Sequence, residues 1–402
     1  GFGFPYGSGS SVRIVMVGRA LLLAGTPFRV LHCGPSPLEV NTEASGVYKG
    51  IAFEYTTGVR RPKNGLARRI TYLRAVINLT MRLARLRRAG HRAAVWLYIQ
   101  NGPTNLYVGW LCWLLGWPVI QELCEWWPGH PNCSSLDKRL YNSPAFFRNA
   151  AGAIAISSLI ETRIQEFADI ANPRMRSYLL PAIVDMDPFL SVDAAGEKDP
   201  QPDLPQFVWC GTAEGYDSVL FLVRVVGRLA RAGYQLRLVV LGACSDQSRS
   251  KIATCMRANG VPPEMVTLAG YVDDARFRTL LRTATALLLP LDNNDRSRTR
   301  FPNKLGEYLA SGRPIVSSAI GDLTRYLTDG VNAYLAEAGD EQSFADQMAL
   351  VLKDRARADR IGDAGRTVCA DHLDYRVHAD ALAAFFQERV EDVCGIPVPD
   401  SV

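Results

Sequence analysis

The sequence predicts an α/β protein made of two doubly wound, Rossmann-like domains. The chain has 402 residues, long for one domain and comfortable for two. Apolar runs alternate with longer amphipathic segments from end to end, the pattern of repeated strand–helix units on parallel sheets. One stretch, 185–206, is rich in Asp and Pro and has no periodicity, as an interdomain linker would be. Domains are therefore expected at 1–184 and 207–374.

The elements follow in order. Glycines at 1, 3, 7 and 9 form a turn ahead of a helix at 11–24. Such a turn normally follows a strand, so a first strand is expected ahead of Gly1, missing through truncation or an incomplete gene model. Apolar runs then place strands at 28–33, 94–98, 118–123, 153–156 and 178–180. Helices are expected between them at 66–89, 104–115, 137–149 and 159–168. The second half restarts with a strand at 207–210 that Gly211 closes. A helix at 219–232 and a strand at 235–241, ending in Gly242, come next. Further strands are expected at 265–268, 286–289, 314–317 and 333–335, and an Asp-Tyr pair leads into a last helix near 375–392. The most apolar segment, 106–117, is about half of the ~20 residues that span a bilayer, and reads as a buried helix.

Composition is that of an ordinary globular protein, 48% hydrophobic and 21% charged. Net charge is only +5, yet 60–92 holds ten arginines, one lysine and no acid. Three readings fit: a solvated helix face beside a neutralising surface, a dock for anionic membrane lipid, or nucleic acid without a known motif. Nine scattered cysteines suggest reduced thiols in a cytoplasmic protein. Cys124, His130 and Cys133 are irregularly spaced and lack a clear fourth ligand, a poor zinc signal. No signal peptide is apparent.

The chemistry concentrates in 301–320, FPNKLGEYLASGRPIVSSAI. Lys304 and Glu307 stand three residues apart, on one face of a predicted helix. Pro302 suits the helix's first turn, Ser311-Gly312 ends it, and Ile315-Val316 begins a buried strand. The cation would attract phosphates and the carboxylate would accept hydrogen bonds from hydroxyls; a sugar nucleotide has both. Asn303, and Arg300 from an arginine-bearing loop at 292–300, are further donor-binding candidates. Gly7 and Ser8, in the glycine turn, would offer backbone amides to an anion. A dinucleotide loop competes for that turn, but the next strand, ending His32-Cys33-Gly34-Pro35, offers no acid for a ribose.

Segment 301–320 resembles the donor-site signature of family 4 retaining glycosyltransferases, in the subgroup reading P-x-K-x-x-E-Y-x-A-x-G-x-P-V. The resemblance continues through Gly321, Asp329-Gly330-Val331-Asn332-Ala333 and Gly339-Asp340, with Ala333 in place of a glycine. It extends to the opening glycine loop and to an interdomain turn at Pro181-Ala182-Ile183-Val184-Asp185. The resemblance implies a GT-B-like fold, two domains facing across a cleft, with the last helix packing back on the first. It implies that Glu307 binds a donor hydroxyl and Lys304 the diphosphate. Gly211 and Thr212, after the strand that opens the second domain, fall in a donor loop that in relatives carries cations absent here. A second family glutamate is replaced by Thr299. Beyond the 118–123 strand, Glu125 aligns best with the family's acid or histidine near the reacting sugar, and Glu122 is the runner-up.

The activity so implied is retaining transfer from a nucleotide-sugar donor to a glycan or glycolipid acceptor in bacterial surface polysaccharide synthesis. No cofactor and no metal are required, since Asp185-Met186-Asp187 falls in the linker turn. The expected location is cytoplasmic, peripheral on the inner face of the membrane, with 60–92 facing anionic lipid. A sugar-nucleotide epimerase of the same architecture and a non-catalytic nucleotide- or carbohydrate-binding relative stay open.

Overall fold

The structure, a computed structural model, describes residues 3–7, 9–130, 133–190, 204–211 and 217–394. The chain divides into two compact units: 1–183 with 299–301 and 375–402, and 184–298 with 302–374.

The first unit opens with α1 (Gly9–Leu23), β1 (Arg29–His32), β2 (Ser45–Tyr48), β3 (Ile51–Tyr55) and α2 (Gly65–Arg88). It continues with β4 (Val95–Leu97), α3 (Gly102–Leu114), β5 (Val119–Leu123), α4 (Ser135–Tyr141), β6 (Gly152–Ala155), α5 (Ser158–Ala171) and β7 (Arg176–Leu179). Strands β4 to β7 form a parallel sheet in chain order. All four residues of β6 are buried, as expected of a parallel strand covered on both faces. A second sheet pairs β1 parallel to β3 and β3 antiparallel to β2. The β2–β3 hairpin was not anticipated. Its turn is Lys49-Gly50, both at positive φ (49° and 82°), the mirror-image geometry that matches strand twist. Helix α4 ends well short of the predicted 137–149. Pro144 cannot continue it, and the chain turns into a single 3-10 segment that buries Phe146 and Phe147.

The second unit holds α6 (Asp187–Leu190), β8 (Gln206–Cys210), α7 (Ser218–Arg231), β9 (Arg237–Leu241), α8 (Asp246–Ala258), β10 (Val266–Gly270) and α9 (Asp274–Thr283). After these come β11 (Ala286–Leu289), α10 (Asp295–Thr299), α11 (Lys304–Ala310), β12 (Ile315–Ser318), α12 (Leu323–Tyr326), β13 (Tyr334–Ala336), α13 (Glu341–Lys353) and α14 (Arg355–His372). Its six strands are parallel, in the order β10-β9-β8-β11-β12-β13. The chain winds outward from β8 to β10, then returns to β11 on the other side of β8. Strand order therefore reverses between β8 and β11, the switch point where open α/β sheets bind ligands beyond their strands' carboxyl ends. Helix α7 buries Leu222, Val223 and Val226, and its Phe221 meets Phe344 of α13 edge to face (5.5 Å). Of the predicted linker, 185–190, which holds α6, and 204–206, which leads into β8, are described; 191–203 lie outside the described residues. Helix α15 (Ala379–Cys394) belongs to the first unit and packs on α1, with Phe385 against Tyr178 (5.3 Å).

Candidate functional site

In the second unit the carboxyl ends of β8, β9 and β10 run into Gly211, Gly242 and Gly270. The Gly211 N–H donates to the Leu241 carbonyl (2.9 Å) and the Gly242 N–H to the Gly270 carbonyl (2.8 Å). At Gly242 φ is 120° and a Cβ would overlap the Gly211 carbonyl oxygen. Only glycine lets the two backbones pass this closely. The β8–β9 side of the switch point is thus lined by main chain.

Helix α11 begins at Lys304, two residues later than a first-turn Pro302 requires, and Asn303, at its N-cap, makes no side-chain cap bond and is exposed. One face buries Leu305, Tyr308 and Leu309. The Tyr308 hydroxyl accepts from the Cys210 N–H (2.8 Å), pinning α11 to the end of β8. Burial keeps that phenol un-ionised. On the open side, Lys304 Nζ pairs with Glu307 Oε2 (2.6 Å) and lies over the Phe277 ring of α9 (4.6 Å from its centre). Burial works to lower the Lys304 pKa, but the carboxylate beside it wins and the net direction is up. The ammonium therefore stays charged, and an incoming phosphate can exchange with Glu307 for it. Phe277 was missed in the sequence, although Phe277, Leu280 and Leu281 carry the helical spacing that would have disclosed α9.

Other predicted donor residues are less concentrated. Arg300 is half-buried in 299–301, which packs with the first unit, where Ser157 Oγ donates to the Thr299 carbonyl (2.6 Å). Thr212 and Ser8 lie outside the described residues. Gly7 precedes α1 in a loop tied down on several sides. Ser11 Oγ donates to the Gly3 carbonyl (2.6 Å), and Asn41 both accepts from the Tyr6 N–H (3.0 Å) and donates to the Tyr6 carbonyl (2.8 Å). The Tyr55 hydroxyl accepts from the Phe4 N–H (3.0 Å) and donates to its carbonyl (2.6 Å). A Cβ on Gly7 would strike Ser11 Oγ, so glycine is needed for this closure.

Glu122 does not match its predicted role. Its side chain is 0% exposed and its Oε1 accepts from Arg13 Nε of α1 (2.7 Å). Oε2 accepts from Trp96 Nε1 (3.1 Å), and Arg13 also donates to the Pro181 and Leu180 carbonyls (2.8 and 3.0 Å). Burial pushes the Glu122 carboxyl up, with Arg13 and the hydrogen bonds pulling back. A carboxylate so enclosed cannot touch substrate; it anchors α1 to β5. Sequence reading passed over Arg13, whose signal was a lone cation amid the apolar run 11–17. Glu125, beyond the end of β5, is partly open, 3.9 Å from His130 Nε2. His130 stacks on Trp127 (4.5 Å, 17°), and Arg163 lies over Trp126 (5.3 Å). This leaves Glu125 as the accessible carboxylate of the pair.

This second-unit arrangement coincides with a known class: residues 204–354 match the family of group 1 glycosyl transferases. The fold of the chain is that of GT-B glycosyltransferases. Sucrose-phosphate synthase from Thermosynechococcus elongatus aligns over 95% of this chain and 94% of its own at 16% identity, TM-score 0.73. HepE from Anabaena, solved with UDP, aligns over 95% and 96% at 12% identity, TM-score 0.69. By sequence, D-inositol 3-phosphate glycosyltransferase of Xylanimonas cellulosilytica is 26% identical over 48% of this chain and 46% of its own. Phosphatidyl-myo-inositol mannosyltransferase of Mycobacterium leprae is 30% identical over 25% and 26%. The chain thus spans less than half the length of these two curated relatives.

Proposed function

We propose that the protein transfers a sugar from a nucleotide-sugar donor to a hydroxyl of a glycan or glycolipid acceptor, with retention and without a divalent metal. The observation that carries this reading is the Lys304–Glu307 pair, pinned by Tyr308 to the carboxyl end of β8 at the switch point. It lies inside the segment matching group 1 glycosyl transferases. A donor diphosphate would take Lys304 from Glu307, freeing that carboxylate to accept from a donor hydroxyl. Lys304 would then stabilise the charge that builds on the leaving diphosphate, the work a metal does elsewhere. In the first unit, Glu125 beside His130 is the group offered to a sugar hydroxyl. The reading extends to bacterial surface-glycan synthesis on the cytoplasmic face of the membrane, with an acceptor held at an anionic surface. One curated relative is named for a phosphatidyl-inositol acceptor, and HepE has been solved with UDP and glucose, so a UDP-hexose is the first donor to test.

Isothermal titration of the full chain with UDP, GDP and ADP tests the donor site. One nucleotide should bind, and Lys304→Met should weaken it about 10- to 100-fold, the loss of one charge-assisted hydrogen bond of about 1.5–3 kcal/mol. Silence across the three from a folded chain, or unchanged affinity in both Lys304→Met and Glu307→Ala, would sink the reading. Radiolabel transfer from the matching nucleotide sugar then separates a transferase from a binding relative.

A further inference from the structure

We propose that α2 lies flat on an anionic bilayer, its exposed apolar stripe at the headgroup–acyl boundary and its arginines on lipid phosphates. The proposal rests on the membrane-held acceptor above and names the surface that would reach it. Helix α2 has 24 residues and turns Ala75, Leu79 and Leu83 into the first unit, the two leucines packing in a cluster with Val108, Cys112 and Trp117. On its opposite side Leu66, Ile70, Leu73, Ile77 and Met81 are 44–68% exposed. At about 100° per residue these five fall within an arc of about 80°. A helix facing only water would carry polar residues there.

The charge around this stripe is of one sign. Arg69 and Arg87 project on one flank and Arg74 and Arg85 on the other, all exposed. Among the described residues Arg82 is the one arginine of α2 with a carboxylate partner, Glu54 (2.9 Å). A merely solvated cationic helix gains from acids three or four positions away, and α2 has none. The surface continues onto α3, joined by a hydrogen bond between the Thr80 and Tyr107 hydroxyls (2.9 Å). There Tyr107, Trp110 and Trp113 are exposed, residue types that settle at the membrane–water boundary. No helix among the described residues is long and apolar enough to cross a membrane, so the contact is parallel to the surface. Aliphatic side chains between arginines fit acyl chains and phosphates; the five exposed aliphatic residues of α2 itself offer bases no stacking face.

Co-sedimentation of the full chain with phosphatidylcholine vesicles, with and without phosphatidylglycerol, tests this. Binding should need the anionic lipid and fall with added salt. Arg74→Gln with Arg85→Gln should weaken it about 25-fold, about fivefold for each charge. Leu73→Glu with Ile77→Glu should abolish it. Nucleotide titration on the same samples should be unchanged, and urea unfolding followed by tryptophan fluorescence, which reports the first unit, should certify folding there. No vesicle binding by a chain that still binds nucleotide overturns the docking surface and leaves the donor site standing. Vesicle binding without nucleotide binding supports the docking surface and overturns the donor site. Binding unaffected by the two glutamates, or RNA bound through the same residues in preference to vesicles, also overturns the proposal.

Discussion

Glu122→Gln tests whether that carboxylate is an anchor or a catalyst. Glutamine keeps the shape and can still accept from Trp96, but it removes the counter-charge of Arg13. Guanidinium does not give up its proton, so the charge stays buried at 2% exposure, held by two carbonyls alone. Removing one partner of a buried ion pair costs about 3–5 kcal/mol. Arg13→Met costs somewhat less, because the Glu122 carboxyl, already raised by burial, can take up a proton. The double variant holds no buried charge. It should fall short of the sum of the singles by at least about 2 kcal/mol. Urea unfolding followed by tryptophan fluorescence suits the measurement, since six of the seven tryptophans (96, 110, 113, 117, 126 and 127) lie in the first unit. Nucleotide affinity, a property of the second unit, should stay as in the wild type. Losses that add to within about 0.5 kcal/mol would refute the coupling, and lost activity at full stability would return Glu122 to the reacting groups.

Other consequences can be measured as directly. Gly242→Ala forces a Cβ onto the Gly211 carbonyl at a φ that alanine avoids, and should cost about 3 kcal/mol or more together with nucleotide binding; calorimetry and titration read both. Burial opposes the charge of Glu341, but its bonds to Arg224 and Arg228 outweigh this and hold its pKa below the usual value. A depressed acid stabilises above its unfolded pKa and ceases to as pH falls through the folded one. Glu341→Gln should therefore lose up to about 1 kcal/mol at neutral pH and progressively less as pH falls through the folded pKa, as hydrogen exchange of α7 and α13 would report. Burial raises Cys112, Cys124 and Cys369 to about 12, so native alkylation at pH 8, read by mass spectrometry, should spare these three and label the less enclosed Cys133 before any of them, although its thiol too is raised.

The two-unit α/β plan was legible because parallel strands covered on both faces leave long apolar runs, as in ALLL of β11. The β2–β3 hairpin was not, since its strands are short: β3 alternates over five residues, but in β2 the apolar Val47 falls on the exposed face. That Lys304 and Glu307 share a helix face was readable from their spacing. Their surroundings were not: Phe277 and Cys210 reach the pair from distant positions, and nothing local links them to it. Glu122 was misjudged for a related reason. A carboxylate near a strand's end looks catalytic until a cation 109 residues earlier in the chain is found to enclose it.

The loop ahead of α1 bears on how a ligand would bind there. Asn41, Tyr55 and Ser11 already hold its backbone, so an anion arriving at Gly7 would find its amides in place. Ordering a free backbone costs about 1–2 kcal/mol per residue, and little of that would fall on the binding step. Binding at this loop should then have a small entropic penalty. Asn41→Ala, which removes the two bonds to Tyr6, should make that penalty larger while leaving the contact enthalpy nearly as it was.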